Sequence, residues 1–327
     1  MDKNIKQKVK KIVAPVRLLG SYLYDLKNFR DYSFEFNSNN LSKDNLRAEI
    51  TFQYHALEKG MCHNRIRLGY GLERRKRLLY LLRKWSDNNY QLDDKRYATG
   101  VAVLKRYIEM HEENNFDVSS LKEEVGKLPI GIENILGGYE EKEKEYFINA
   151  RNKNFEQFSK SRRSIRDYGE DDVTVNEIEE AIELSTLYPS VCNRQAVRTY
   201  VIMSKEKMME CLKLQNGIQG MAQNIRSVIV VTSDNSYFGN LNERNQNFID
   251  GGIFSMNLLY SLTYKNIAAC ALNANMNTKN IKKMKDLIGI NKSEDIIMFI
   301  SCGSYPEKIK YPISNRDSSH DIMSIIR

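Results

Sequence analysis

The sequence predicts a chain in two parts: an all-helical region over residues 1–158, then a layered domain of strands and helices, α/β or α+β, over residues 159–327. Three observations carry this. Apolar residues in the first part recur at helical steps, with no long β-branched run between them. A capping-box pattern, Thr174-Val-Asn-Glu177, opens the second part, and four short, continuously apolar segments appear only after it.

In the first part, Leu41, Leu46, Ile50, Phe52 and Leu57 mark a helix from Asn40 to Gly60, which Gly60 is expected to end. Leu72, Leu78, Leu79, Leu81 and Leu82 mark a second to Trp85; Val101, Val103, Leu104, Tyr107 and Ile108 mark a third over Tyr97 to His111. Gly69-Tyr70-Gly71 and Leu128-Pro129-Ile130-Gly131 read as connections. In the second part the Thr174 box starts a helix to about Ser185. The strands are Thr199 to Met203, Ser227 to Thr232, Ala268 to Leu272 and Ile296 to Ser301. Phe248 to Tyr264 is apolar nearly all round, so a central helix is expected; Asn277 and Gly289 bracket the last one.

Composition excludes several classes. Hydrophobic residues make up 41% of 327, enough for a packed core, and no segment is polar and repetitive enough to be disordered. Five cysteines without a C-x-x-C pair suggest neither a disulfide framework nor zinc, and a reducing cytoplasm is expected. The basic N-terminus lacks the apolar core and cleavage site of a secretory signal, and no run is long enough to span a membrane. The net charge of +8 comes from residues 1–86, with 19 basic against 8 acidic side chains. No nucleic-acid motif accompanies it, and Arg74-Arg75-Lys76-Arg77 reads as a solvated face. Lys6 to Arg17, with its interleaved apolar residues, could contact an anionic membrane peripherally.

Chemistry concentrates in two stretches. Ser161-Arg162-Arg163-Ser164-Ile165-Arg166-Asp167-Tyr168 places three guanidiniums and two serine hydroxyls ahead of the capped helix. That set suits an anion, because the planar fork of arginine matches phosphate and serine donates a short hydrogen bond. Pro189-Ser190-Val191-Cys192-Asn193-Arg194-Gln195 follows the helix and offers amides and hydroxyls to a polar ring edge, or serves only as a turn. His55, Glu58, Cys62 and His63 are metal-capable types, but Lys59 opposes a cation and ordinary packing is expected. The four histidines form no triad, so no catalytic side chain is expected, and no metal.

The order R-R-S-x-R, P-S-x-x-N-x-Q, then Gly252 to Leu259 (G-x-x-x-x-N-L-L), then a strand and a late Arg resembles the FMN-dependent nitroreductase family over roughly residues 159–327. The resemblance implies an α+β fold, a mixed sheet flanked by helices. It also implies a homodimer with FMN at the interface and NAD(P)H as co-substrate for a small-molecule acceptor. Arg162, Arg163, Ser164 and Arg166 stand where the family holds the FMN phosphate and ribityl chain; Pro189, Ser190 and Asn193 stand where the partner subunit meets the ring. Asn273 and Ala274 fall where backbone amides approach the flavin, and Arg316 matches a late basic residue on the phosphate. The chain departs from the pattern at Gln195-Ala196-Val197, at Asn266-Ile267-Ala268 and in the short polar segment between Thr232 and Phe248, so flavin binding is better supported than substrate choice. No G-x-G-x-x-G loop is present for a dinucleotide. A binding or assembly protein with reduced redox activity, or an FMN dehydrogenase, would share these motifs.

Overall fold

The computed structural model describes residues 3–32, 41–63, 65–132, 134–217, 225–238 and 241–327. They fall into two compact units: Met1–Glu140 with Pro312–Arg327, and Glu141–Tyr311. Phe147 is buried in the second unit between Tyr305 and Tyr311, at 5.4 and 5.8 Å between ring centroids. The last residues of the chain return to the first unit.

The first unit is helical: α1 (Lys3–Tyr32), α2 (Lys43–Met61), α3 (Leu72–Asp87), α4 (Lys95–Glu113) and α5 (Ser119–Gly126). Ser42 and Asp94 cap α2 and α4 with their side chains, satisfying amides that the first turn leaves open. The apolar stripes meet in one core around Trp85, Tyr54, Tyr97 and Tyr107 with Leu46, Leu57 and Leu82. Gly60 does not end α2, which runs on to Met61. A side chain at residue 60 would strike the ring of Tyr70, so the glycine answers a close approach.

Of Arg74 to Arg77, Arg74 and Lys76 are exposed, as a solvated face would be, while Arg75 and Arg77 are half-buried. Arg77 grips Glu49 with two hydrogen bonds of 2.7 and 2.8 Å, Arg74 reaches Gln53, and Arg75 reaches the Gly69 carbonyl and lies over Tyr107. Only Lys76 of the four keeps to an exposed partner, Glu73. Arg77→Ala should therefore cost the helical unit about 2 kcal/mol, since Glu49 at 7% exposure would keep its charge without its partner. Lys76→Ala should stay within about 0.5 kcal/mol in the same urea titration.

His111 gives this unit a pH dependence. It is fully buried in α4; its Nδ1 faces the Tyr107 carbonyl at 2.8 Å and its Nε2 accepts from the Gly69 amide at 3.0 Å. Both nitrogens are satisfied by the neutral ring. Burial, aided by the Arg75 charge and opposed by the Tyr107 carbonyl, lowers its pKa below the ordinary 6.5. The stability this ring supplies is complete above pH 6.5 and is lost as pH falls from there toward the depressed value, because only the unfolded ring takes the proton readily. Denaturant titrations at pH 7 and 5 should show the loss, and His111→Gln should flatten it.

The second unit is α+β. Its order is β1 (Tyr139–Glu143, entering from the first unit), α6 (Lys144–Ile148), α7 (Phe155–Ser161), α8 (Val175–Ser185), β2 (Val197–Ile202), α9 (Lys205–Gln215) and β3 (Ser227–Asp234). Then come α10 (Gln246–Tyr264), β4 (Ala268–Leu272), α11 (Thr278–Ile288), β5 (Glu294–Gly303) and β6 (Lys308–Pro312). The four-stranded sheet has the order β2-β3-β5-β4, and β1 pairs with β6. All three pairings of the larger sheet are antiparallel, where a mixed sheet was expected. The reason lies in the order: β3 and β4 run the same way across the α10 crossover, but β5 lies between them, so no parallel ladder forms.

Both faces of β3 are buried. Val228 and Val230 enter a core with Met208, Leu212 and Met284 from α9 and α11; Ile229 and Val231 enter another with Ile178, Phe254 and Leu258 from α8 and α10. That double burial is why its sequence is continuously apolar. Glu294 begins β5 fully buried, its carboxylate accepting from Tyr200, Thr232 and Asn291 at 2.5–3.0 Å. The central helix expected at Phe248 to Tyr264 covers the sheet with one face only. Phe254, Leu258 and Leu262 face inward, while Phe248, Ile249, Ile253 and Met256 are 39–53% exposed.

Candidate functional site

The segment Ser161 to Tyr168 leaves α7 and runs along the sheet. Phe158 packs on Tyr260 and Tyr264 near the end of α10, with ring centroids 5.6 and 6.4 Å away, and Ser159 shares a 2.6 Å hydrogen bond with the Tyr260 hydroxyl. Arg162 caps α7 in extended backbone, φ −60° and ψ 121°. From there the chain is pinned three times: the Ile165 amide donates to the Ala269 carbonyl at 3.0 Å, Tyr168 donates to the Ser301 carbonyl at 2.9 Å, and the Gly169 amide donates to Ser304 at 2.9 Å. Ile165 and Tyr168 are buried, while Arg162, Arg163, Ser164 and Arg166 are half-buried. Apolar anchors thus hold the cations at a fixed place against the edge strand β4.

Within this segment Arg163 donates from Nη1 to the carbonyls of Lys160 and Arg162, at 2.6 and 3.1 Å, and its guanidinium lies 5.0 Å over the Tyr311 ring. Its Nε is buried with no hydrogen-bond partner among the described residues. Arg166 donates to the Ser164 carbonyl at 3.2 Å. Burial pushes the Tyr305 hydroxyl well up in pKa, and the positive charge of Arg162 works against that shift. Asn273 and Ala274 follow β4 directly. Gln215 holds the Asn273 carbonyl at 2.9 Å, and Ala274 packs on the same core as Ile165 and Tyr305. The structure therefore brings the arginine segment and the Asn273-Ala274 turn to one edge of the sheet.

Pro189, Ser190 and Asn193 lie elsewhere. Their loop joins α8 to β2, the opposite edge strand, and is tied to the first turns of α10. The Val191 amide donates to Asp250 Oδ2 at 3.1 Å, and Gln246 donates to Oδ1 at 2.7 Å. Arg194 clamps Glu243 with bonds of 3.1 and 2.8 Å, which raises the Arg194 pKa through that hydrogen bond. Cys192, Asn193 and Gln195 all sit in left-handed backbone, φ 49°, 53° and 51°. Cysteine and glutamine pay about 1 kcal/mol each for that, so the two carboxylates hold the loop in a shape it would not choose. Ten residues of helix, about 15 Å, separate Asp250 from Tyr260, so within one chain the two halves of the expected site stand apart.

Arg316 belongs to the first unit, exposed between Asn315, which donates to Thr99 and Leu136, and Asp317, which pairs with Arg96 at 2.5 Å. In that unit His55 Nδ1 meets the buried Glu58 carboxylate at 3.1 Å and Ser314 Oγ at 3.4 Å, while Cys62 Sγ donates to the Glu58 carbonyl at 3.1 Å. The supporting residues Gln215, Glu243 and Asp250 escaped the sequence. Of these only Asp250, a lone acid inside an apolar helix, carried a visible signal.

Residues 159–215 match the model of the nitroreductase family. No curated protein matches the chain. Among solved structures, an FMN-dependent nitroreductase from Clostridium difficile is similar at 19% identity over 52% of this chain and 98% of that one, with a TM-score of 0.44. A nitroreductase family protein from Streptococcus pneumoniae is similar at 17% identity over 53% and 100%, with a TM-score of 0.45. A protein from Staphylococcus epidermidis assigned as an NAD(P)H:FMN oxidoreductase is similar at 15% identity over 53% and 96%, with a TM-score of 0.47.

Proposed function

We propose that the chain is an FMN-dependent oxidoreductase that takes hydride from NAD(P)H and passes it to a small organic acceptor, working as a homodimer. The observation that supports this most is the orphaned, buried Nε of Arg163 in a cationic segment pinned beside β4, within the stretch that matches the nitroreductase family. A phosphate oxygen is a fitting partner for that donor, so the residues present suit the cofactor. Arg162, Arg163, Ser164 and Arg166 would hold the phosphate and ribityl chain, and Asn273 and Ala274 would flank the ring. When bound, FMN supplies a ring that accepts two electrons as hydride and gives them up again. The protein's own part is to fix the ring and keep water from it.

The loop of Pro189, Ser190 and Asn193 would complete the site of a second copy, since in its own chain it leads into β2, the sheet edge opposite β4. The outward face of α10 is the surface such a copy would cover: Ile249, Ile253 and Met256 recur at helical spacing and are exposed in the single chain. The test is direct. Purified protein should be yellow, release FMN rather than FAD on denaturation, and bleach when NADH or NADPH is added without oxygen. A colourless protein that ignores added FMN, or one that releases FAD, would defeat the proposal.

A further inference from the structure

We infer that the outward face of α1 is a docking surface for an anionic phospholipid bilayer, on which the helix lies in the plane of the headgroups. Val16, Leu19, Leu23 and Leu26 follow one another at steps of three, four and three, which places them on one face, and they are 68%, 59%, 54% and 60% exposed. Tyr22, at 50% exposure, flanks them with the amphipathic ring that suits a headgroup region. The more shielded of the described positions are Ala14, Leu18, Ser21 and Asp25, away from that row. An exposed row of aliphatic side chains on a soluble surface calls for a partner.

Charge selects which partner. Between Lys3 and Tyr32 the chain carries eight Lys and Arg against two acids, Asp25 and Asp31, and none of the acids precedes Asp25 in the helix. A second copy of the same helix would bring the same excess of positive charge. Anionic headgroups bring the opposite charge, and each cation near such a surface strengthens attachment about fivefold. No helix of the described residues is long and apolar enough to cross a membrane, so α1 would lie on the surface with its aliphatic row in the acyl boundary. The inference is independent of the flavin.

Co-sedimentation of the full-length protein with vesicles tests it. Binding is expected to vesicles of phosphatidylcholine with about one-third phosphatidylglycerol, to weaken as salt rises, and to be lost on pure phosphatidylcholine. Leu19→Asp with Leu23→Asp should abolish binding, and Arg17→Glu, which leaves the apolar row intact, should weaken it about tenfold. Three results would overturn it: no binding to acidic vesicles at low salt, equal binding by the double variant, or a wild-type oligomer that the double variant splits while neither protein binds vesicles. The last would make the face a contact between copies of the chain.

Discussion

On the proposed dimer, an aspartate in place of Ile253 should yield a monomer that does not hold FMN. Ile253 lies on the side of α10 turned away from the sheet, 40% exposed, between Ile249 and Met256. A carboxylate buried there without a partner costs about 3 kcal/mol or more on association, so subunit affinity should fall at least about a hundredfold. FMN affinity should fall with it, because the loop of Pro189 to Asn193 would no longer arrive from the second copy. The folded monomer should be little affected, since residue 253 does not enter the core with Phe254 and Leu258. Analytical ultracentrifugation with flavin absorbance reads both effects, and a monomer that keeps tightly bound FMN would refute the shared site.

Arg162→Ala should weaken FMN binding by about 1.5–3 kcal/mol, roughly 10- to 150-fold, the scale of a lost charge-assisted hydrogen bond. The α7 cap survives the change, because it is made by the backbone amide of Arg162, which reaches the Phe158 carbonyl, and alanine keeps it. The control is Arg77→Ala, which should lower the stability of the helical unit and leave flavin affinity alone. Fluorescence titration separates the two: equal losses of affinity would make the arginine segment a generic surface charge.

Where the chain states its own boundaries, the sequence was enough. Thr174 caps α8 and Asn277 caps α11 with their side chains, and Gly289 ends α11 in left-handed backbone. These are local bonds between residues a few positions apart, so a short window contains them. What stayed hidden depends on distant partners. Glu294 lies outside the strand expected over Ile296 to Ser301, and only Tyr200 and Thr232, distant in sequence, satisfy its buried carboxylate. Arg77 reads as solvated until Glu49, 28 positions away, turns out to be buried beside it. Strand β1, Tyr-Glu-Glu-Lys-Glu, has no apolar alternation; it pairs with β6 alongside Glu141–Lys310 and Glu143–Lys308 ion pairs of 3.6 and 3.8 Å. In the candidate site, the arginine run was legible because its residue types announce an anion. The carboxylates that shape the Pro189 loop were not, because their meaning comes only from where α10 places them.

The return of residues 312–327 to the helical unit decides the order in which the protein can be completed during synthesis. Residues 141–311 are contiguous and bring their own ends together through β1 and β6, so that unit has all its parts as soon as Tyr311 leaves the ribosome. The helical unit is begun first yet finished last: Arg96 waits for Asp317, and Thr99 waits for Asn315. A nascent chain therefore carries an unfinished helical bundle for the whole time residues 141–311 are being made, and residues 312–327 act as the closing stitch.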